Sequence, residues 1–161
     1  MQIKFCEMKK EHYDSVKRIY KQAIDGGVST FQSEPLEWNS FDSSHLKKCR
    51  IVAMSNSGEV CGWVALAHIS IMEALRGVAE LSIYVDHRYV GNGIGTAMMQ
   101  CLENVAKKNG IWSLQSIILP ENTRSLALHR KCGFREIGYR KNVAQMPSGI
   151  WKDVILFEKR L

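Results

Sequence analysis

The chain has 161 residues, 45% hydrophobic and 24% charged, with 12 Gly and only 3 Pro, which excludes fibrous and disordered classes and fits one domain spanning residues 1–161. A chain of this length buries roughly 68–70% of the surface its unfolded form exposes, so a core needs neither disulfides nor a structural metal. The formal net charge of +6 comes as dispersed pairs such as Lys9-Lys10, Lys47-Lys48 and Lys107-Lys108, a solvated surface rather than the basic block of a nucleic-acid binder.

Residues 3–7 alternate as a short strand, after which Tyr13, Val16, Ile19, Tyr20, Ala23 and Ile24 recur at helical spacing until Asp25-Gly26-Gly27 stops the helix. A loop holding Thr30 and Phe31 follows, and Pro35 is well placed in the first turn of a second helix running through Trp38 and Phe41 to residue 46. Residues 49–54 and 60–69 are apolar runs on either side of Ser55-Asn56-Ser57-Gly58, the pattern of an antiparallel hairpin. Residues 78–85 alternate again, with Leu81, Ile83 and Val85 on one face and Glu80, Ser82 and Tyr84 on the other. Residues 95–108 carry one apolar helical stripe that Asn109-Gly110 ends. The remainder reads as a strand over 114–119, a helix over 122–132, and strands over 134–143 and 150–157.

No apolar run approaches the ~18–20 residues of a membrane-spanning helix, and the first seven residues are too short and too charged for a secretory signal. Cys6, Cys49, Cys61, Cys101 and Cys132 are odd in number, widely spaced and without a C-x-x-C pair. The expectations are therefore a cytoplasmic protein with reduced thiols, no metal site, and neither nucleic acid nor membrane as a partner.

Chemistry is concentrated in Gly91-Asn92-Gly93-Ile94-Gly95-Thr96, between the alternating strand and the long helix. Glycine permits unusual φ and close backbone approach, and a helix start offers unpaired N–H groups at the positive end of its dipole. Together these make a cradle for a pyrophosphate. A dinucleotide fingerprint is disfavoured, because the third glycine falls one position early and no acid sits near Ile111. A Walker loop is excluded, because no Lys follows until Lys107.

With Val90 in front, this bend resembles the acetyl-CoA pyrophosphate loop of the GNAT superfamily of N-acetyltransferases. Thr30-Phe31 with Glu34-Pro35, the segment from Arg76 through Glu80 to Val85, the segment from Asn122 to Phe134, and Trp151-Lys152-Asp153 resemble, in order, the phosphinothricin N-acetyltransferase-like family, which includes enzymes acting on methionine sulfoximine and methionine sulfone. The resemblance covers nearly the whole chain. It implies an α/β fold of the GNAT type, with a central mixed, mostly antiparallel sheet flanked by helices, and an expected homodimer.

It also implies roles, residue by residue. The backbone of Ile83, Tyr84 and Val85 pairs with the pantetheine arm of acetyl-CoA, Gly91, Asn92, Gly93, Ile94, Gly95 and Thr96 take the diphosphate, and Asn122, Ser125 and Lys131 lie along the cofactor. Glu80 matches the general base that deprotonates an incoming ammonium, the alternative being an ion pair with Arg76. His129 stands where many relatives carry a proton donor to the leaving thiolate, the alternative being packing on the helix surface. Phe31, Leu75 and Arg76 are the acceptor-binding candidates, an aromatic wall and a guanidinium suiting an amino-acid-like amine. Trp151 and Asp153 are read as structural. The segment from Ala67 to Leu75 lacks the aromatic and Arg-Pro elements usual in that family's acceptor loop.

Overall fold

The computed structural model describes residues 2–161; Met1, the first residue of the expected domain, lies outside them. Strand β1 (Ile3–Glu7), helices α1 (Tyr13–Asp25) and α2 (Trp38–Ser44), strands β2 (Arg50–Ser55), β3 (Val60–His68) and β4 (Val78–Val85), helix α3 (Ile94–Lys108), strand β5 (Ser113–Ile118), helix α4 (Thr123–Lys131) and strands β6 (Arg135–Gln145) and β7 (Trp151–Arg160) follow one another. Every helix and strand expected from periodicity is present. The second helix is the one whose ends move most. The Tyr13 hydroxyl donates to the Leu36 carbonyl at 2.6 Å, so the chain through Pro35 stays outside the helix. At the other end His45 is extended and the Leu46 amide donates to Leu66 in β3 at 2.7 Å, so the sheet captures the residues expected to finish the helix.

The strands form one seven-stranded sheet in the order β1-β2-β3-β4-β5-β7-β6. All neighbours are antiparallel except β4 and β5. Helices cover both faces. On one, Ile94, Met98, Met99 and Leu102 of α3 and Leu126 of α4 pack against Leu81, Leu114 and Phe157 of the sheet. On the other, Tyr13, Val16 and Ile19 of α1 and Phe41 of α2 pack against Val52, Trp63 and Ala65. Each such large side chain contributes on the order of 1.5–3 kcal/mol by leaving water.

The parallel ladder sets the site. It has three rungs, Val78 with Ser113, Ala79 with Leu114 and Glu80 with Gln115, although both strands continue beyond it. Past Glu80, β4 keeps its full pairing to β3, ending at Val85 opposite Gly62, while β5 turns towards β7 and pairs with it as far as Ile118. The sheet therefore opens in a V with its apex at Glu80.

Below the apex the two strands are clamped by close contact. Trp112 donates its amide to the Gly77 carbonyl at 2.8 Å. A Cβ on Gly77 would stand 2.0 Å from the Trp112 ring. Gly77→Ala is expected to force the indole out of place at about 1–3 kcal/mol, a fall of several degrees in Tm by thermal denaturation at roughly 2–4 °C per kcal/mol. A Tm within one degree of the parent, by the precision of about 1 °C that such scaling allows, would show that the indole yields freely. Among the described residues, no helix is long and apolar enough to cross a membrane.

Candidate active site

The end of β4 is anchored by a residue that sequence reasoning missed. Asp86 is fully buried, its amide donates to Cys61 at 2.9 Å, and its carboxylate caps the following turn by accepting from the Arg88 amide at 3.0 Å. The same carboxylate receives Arg88 Nη2 at 2.9 Å and Arg18 Nη1, from α1, at 2.6 Å. Burial alone would raise its pKa, but the hydrogen bonds from Arg88 and Arg18 outweigh that and hold it well below the usual carboxylate range. Next in the chain, the Tyr89 hydroxyl donates to Glu59 at 2.8 Å, tying the bend to the β2–β3 turn. The available signal was Asp-x-Arg directly after a strand, a local capping pattern.

The three glycines of the bend do two jobs. Gly91 and Gly93 have φ of 87° and 75°, and a Cβ on either would meet nothing within 4 Å, so conformation alone demands glycine there. Gly95 has an ordinary backbone, but its Cβ would come 3.2 Å from Leu128, so it lets α3 and α4 pack. Gly93 is the N-cap of α3 and offers no side-chain cap, leaving the amides of the first turn open to an anion.

Between this bend and the apex lies a cleft of about 880 Å³. It brings together Phe31, Glu80, Ile83, Tyr84, Val85, Gly91, Gly93, Ile94, Gly95, Thr96, Asn122, Ser125, His129 and Lys131. Asn92 is turned aside, its side-chain amide donating to the Tyr89 carbonyl at 3.1 Å. Leu75 and Arg76 do not line the cleft. Arg76 pairs with Glu73, Nε to carboxylate 3.4 Å and Nη1 to carbonyl 3.1 Å, and its guanidinium lies over the Trp112 ring at 5.2 Å. The ion pair with Glu80, the alternative to the general-base reading, is therefore replaced by a local one with Glu73. The guanidinium expected at the acceptor thus stands outside the cleft lining.

Glu80 sits at the apex, half-buried, with burial alone raising its carboxyl above the usual glutamate range. A carboxylate in this setting is a better base than an exposed one. On the facing side, Asn122 caps α4 by accepting from the Ser125 amide at 3.2 Å, which leaves its NH₂ free of that bond.

His129 belongs to the core rather than the helix surface, at 2% exposure. Its Nδ1–H donates to the Ser125 carbonyl at 2.8 Å and its Nε2 accepts from the Ser116 hydroxyl at 2.9 Å, the tautomer this network requires. Burial lowers its pKa more than the bond to Ser125 raises it, so the ring is neutral at pH 7. Asp153 accepts from the Tyr139 hydroxyl and from the Asn142 amide at 2.7 Å, holding the irregularity in β6 where Asn142 has φ 48°. Among the described residues, no three His, Cys, Asp or Glu side chains converge to hold a metal ion.

The strand opening, the glycine bend and the carboxylate at the apex all border one cleft. Residues 13–134 match the Acetyltransferase (GNAT) family. The chain belongs to the GNAT acetyltransferase family. This acetyltransferase is 32% identical over 144 residues, 84% of its own chain and 87% of the relative, to YwnH of Bacillus subtilis (strain 168), provisionally named a phosphinothricin acetyltransferase. It is 27% identical over 148 residues, 89% of its chain and 86% of the relative, to the L-methionine sulfoximine/L-methionine sulfone acetyltransferase of Pseudomonas paraeruginosa (strain DSM 24068 / PA7). Its fold superimposes with a TM-score of 0.87 on the GNAT superfamily phosphinothricin acetyltransferase of Sinorhizobium meliloti, a structure in complex with AcCoA, at 24% identity over 100% of this chain and 89% of that one.

Proposed function

We propose that this GNAT acetyltransferase moves the acetyl group of acetyl-CoA to the primary amine of a small substrate by direct attack in a ternary complex. The relatives' names make amino-acid-like amines such as phosphinothricin and methionine sulfoximine the reference acceptors. The observation that carries the reading is the separation of β4 from β5 at Glu80, with the glycine bend at the far end of the exposed strand edge.

Acetyl-CoA supplies the acetyl group as a thioester. The residues present suit it. The amides from Gly91 to Thr96 bind the diphosphate, with Lys131 as a nearby point charge. Backbone groups of Ile83, Tyr84 and Val85 on the open edge pair with the amides of the pantetheine arm as an added strand. One N–H of that edge receives the oxygen of the acetyl carbonyl as negative charge grows on it. Glu80 takes the proton from the ammonium, directly or through one water, so that nitrogen can attack.

His129 acts here as a positioning residue. Both ring nitrogens are engaged, and the neutral ring ties α4 to β5 through Ser116 rather than handing a proton to the thiolate. A covalent acetyl-cysteine route is disfavoured by chemistry, since burial pushes the Cys49, Cys61 and Cys101 thiols up.

Titration calorimetry tests the binding half. Acetyl-CoA is expected to give a saturable heat with the parent protein and at least about tenfold weaker binding with Gly93→Val, whose side chain disfavours the positive φ. Absence of heat with the parent overturns the reading.

A further inference from the structure

Resting on that reading of the cleft, we propose that the acceptor is a primary amine with an aromatic or apolar body and no carboxylate. The wall of the cleft on the α1 and α2 side is aromatic, with Tyr13, Tyr20, Phe31, Phe41, Trp63 and Tyr84 all contributing. The tyrosine hydroxyls are already engaged, while the Trp63 Nε1–H is buried without a partner. Tyr13 donates to the Leu36 carbonyl at 2.6 Å, Tyr20 shares a hydrogen bond with Thr30 at 2.7 Å, and Tyr84 donates to the Ser29 carbonyl at 3.4 Å. The rings brace one another, Tyr20 standing 4.9 Å from Tyr84 and 5.8 Å from Trp63 in edge-on contacts. What the tyrosines and phenylalanines present to a ligand is hydrocarbon and ring face.

The charges tell against an acid in the same space. Among the described residues, the titratable groups lining the cleft outside α4, besides the tyrosines, are Lys17, His45, Glu80 and His87, the last next to the glycine bend with its amide donating to Gln22 Oε1 at 3.2 Å. Lys17 is paired with Glu37. His45 stacks on Phe41 at 4.1 Å with its Nδ1–H on the Phe41 carbonyl at 2.9 Å, and burial keeps it uncharged. Arg124 and Lys131 line the cleft from α4, on the side assigned to the cofactor. Arg76, the guanidinium nearest Glu80 in sequence, is held outside by Glu73 and Trp112.

An α-amino acid carries its carboxylate on the same carbon as its amine. When the nitrogen approaches Glu80, that second carboxylate is brought within roughly 5 Å of the first in a partly desolvated cleft. Among the described residues, the only arginine lining the cleft is Arg124, on α4, and none lines the half that holds the aromatic wall. An amine without the acid brings one positive charge, which both Glu80 and the ring faces attract.

Matched substrates test this directly. Thiol release from acetyl-CoA is followed with phenethylamine against L-phenylalanine, and with 3-(methylsulfonyl)propylamine against L-methionine sulfone. The expected kcat/KM is at least about tenfold higher for the amine in both pairs, the size of a small electrostatic discrimination. Equal rates, or a preference for the amino acid, overturn the proposal. So does an Arg76→Ala variant that loses the amino-acid reaction selectively, since that would place Arg76 at the acceptor. Thiol release from neither member of either pair also overturns it, and a retained heat of acetyl-CoA binding would then show that the cofactor reading stands while the acceptor reading has failed.

Discussion

Glu80→Gln is expected to lower kcat by about 10²–10³-fold, within the range that a positioned general base contributes, while leaving the calorimetric affinity for acetyl-CoA unchanged within about twofold. The two readouts separate because the carboxylate lies at the apex of the V, while the proposed cofactor contacts are backbone groups further along β4 and in the glycine bend. The pH profile adds a second test. Burial holds the Glu80 carboxyl above its ordinary value of 4.5, so the acid limb of kcat/KM should fall above the usual glutamate range and vanish in the variant. Stability should move the other way. A carboxyl whose folded pKa is raised stabilises the fold fully below its unfolded pKa, and that contribution is lost as pH rises through the folded value. At pH 7 the ionised group therefore costs the fold something that glutamine does not. Glu80→Gln should melt at or above the parent temperature at neutral pH, the gap closing in acid. A variant that is inactive and less stable at pH 7 would point to a structural role, and unchanged turnover would remove Glu80 from the mechanism.

Much of this site could be read from one-dimensional pattern because the features are local. The alternation over residues 78–85 put Glu80 on the face opposite Leu81 and Ile83, and three glycines between a strand and a helix announced a bend with open amides. What escaped reading is what depends on a distant partner. Nothing in β4 encodes that β5, more than a helix away in the chain, leaves it after three rungs. Arg76 looked available because its competitors are a glutamate three residues earlier and a tryptophan beyond α3. The fate of His129 did have a signal. Leu126 and His129 are spaced i,i+3 on one face of α4, and both are buried, so the helical stripe that carries the leucine inward carries the imidazole with it. Pro35 misled for the opposite reason, because a proline permits a helix start and the Tyr13 hydroxyl decided against one.

Asp86→Ala is expected to cost about 3 kcal/mol, the lower end for breaking a buried ion pair, because its partners Arg18 and Arg88 keep 44% and 53% of their side chains exposed and regain water. That corresponds to a fall of about 6–12 °C in Tm for a domain of this size. Asp86→Asn keeps an acceptor for the Arg88 amide and should lose less. The sign of the pH dependence follows from the depressed carboxyl. Its stabilisation is complete above the ordinary aspartate value of 3.8, begins to fade as pH drops below it and is lost as pH falls through the folded value, so parent and variant should converge only in strong acid. The same residue positions the bend, since β4 passes through Asp86 into Tyr89 and the glycines. A purely structural loss would lower Tm and leave the remaining folded enzyme kinetically normal. Loss of positioning should raise KM for acetyl-CoA by about tenfold with kcat within threefold, at a temperature where the variant is fully folded. An Asp86→Ala protein with the parent Tm and KM would show that the glycine bend holds its own shape, and that the buried carboxylate between α1 and β4 contributes to neither.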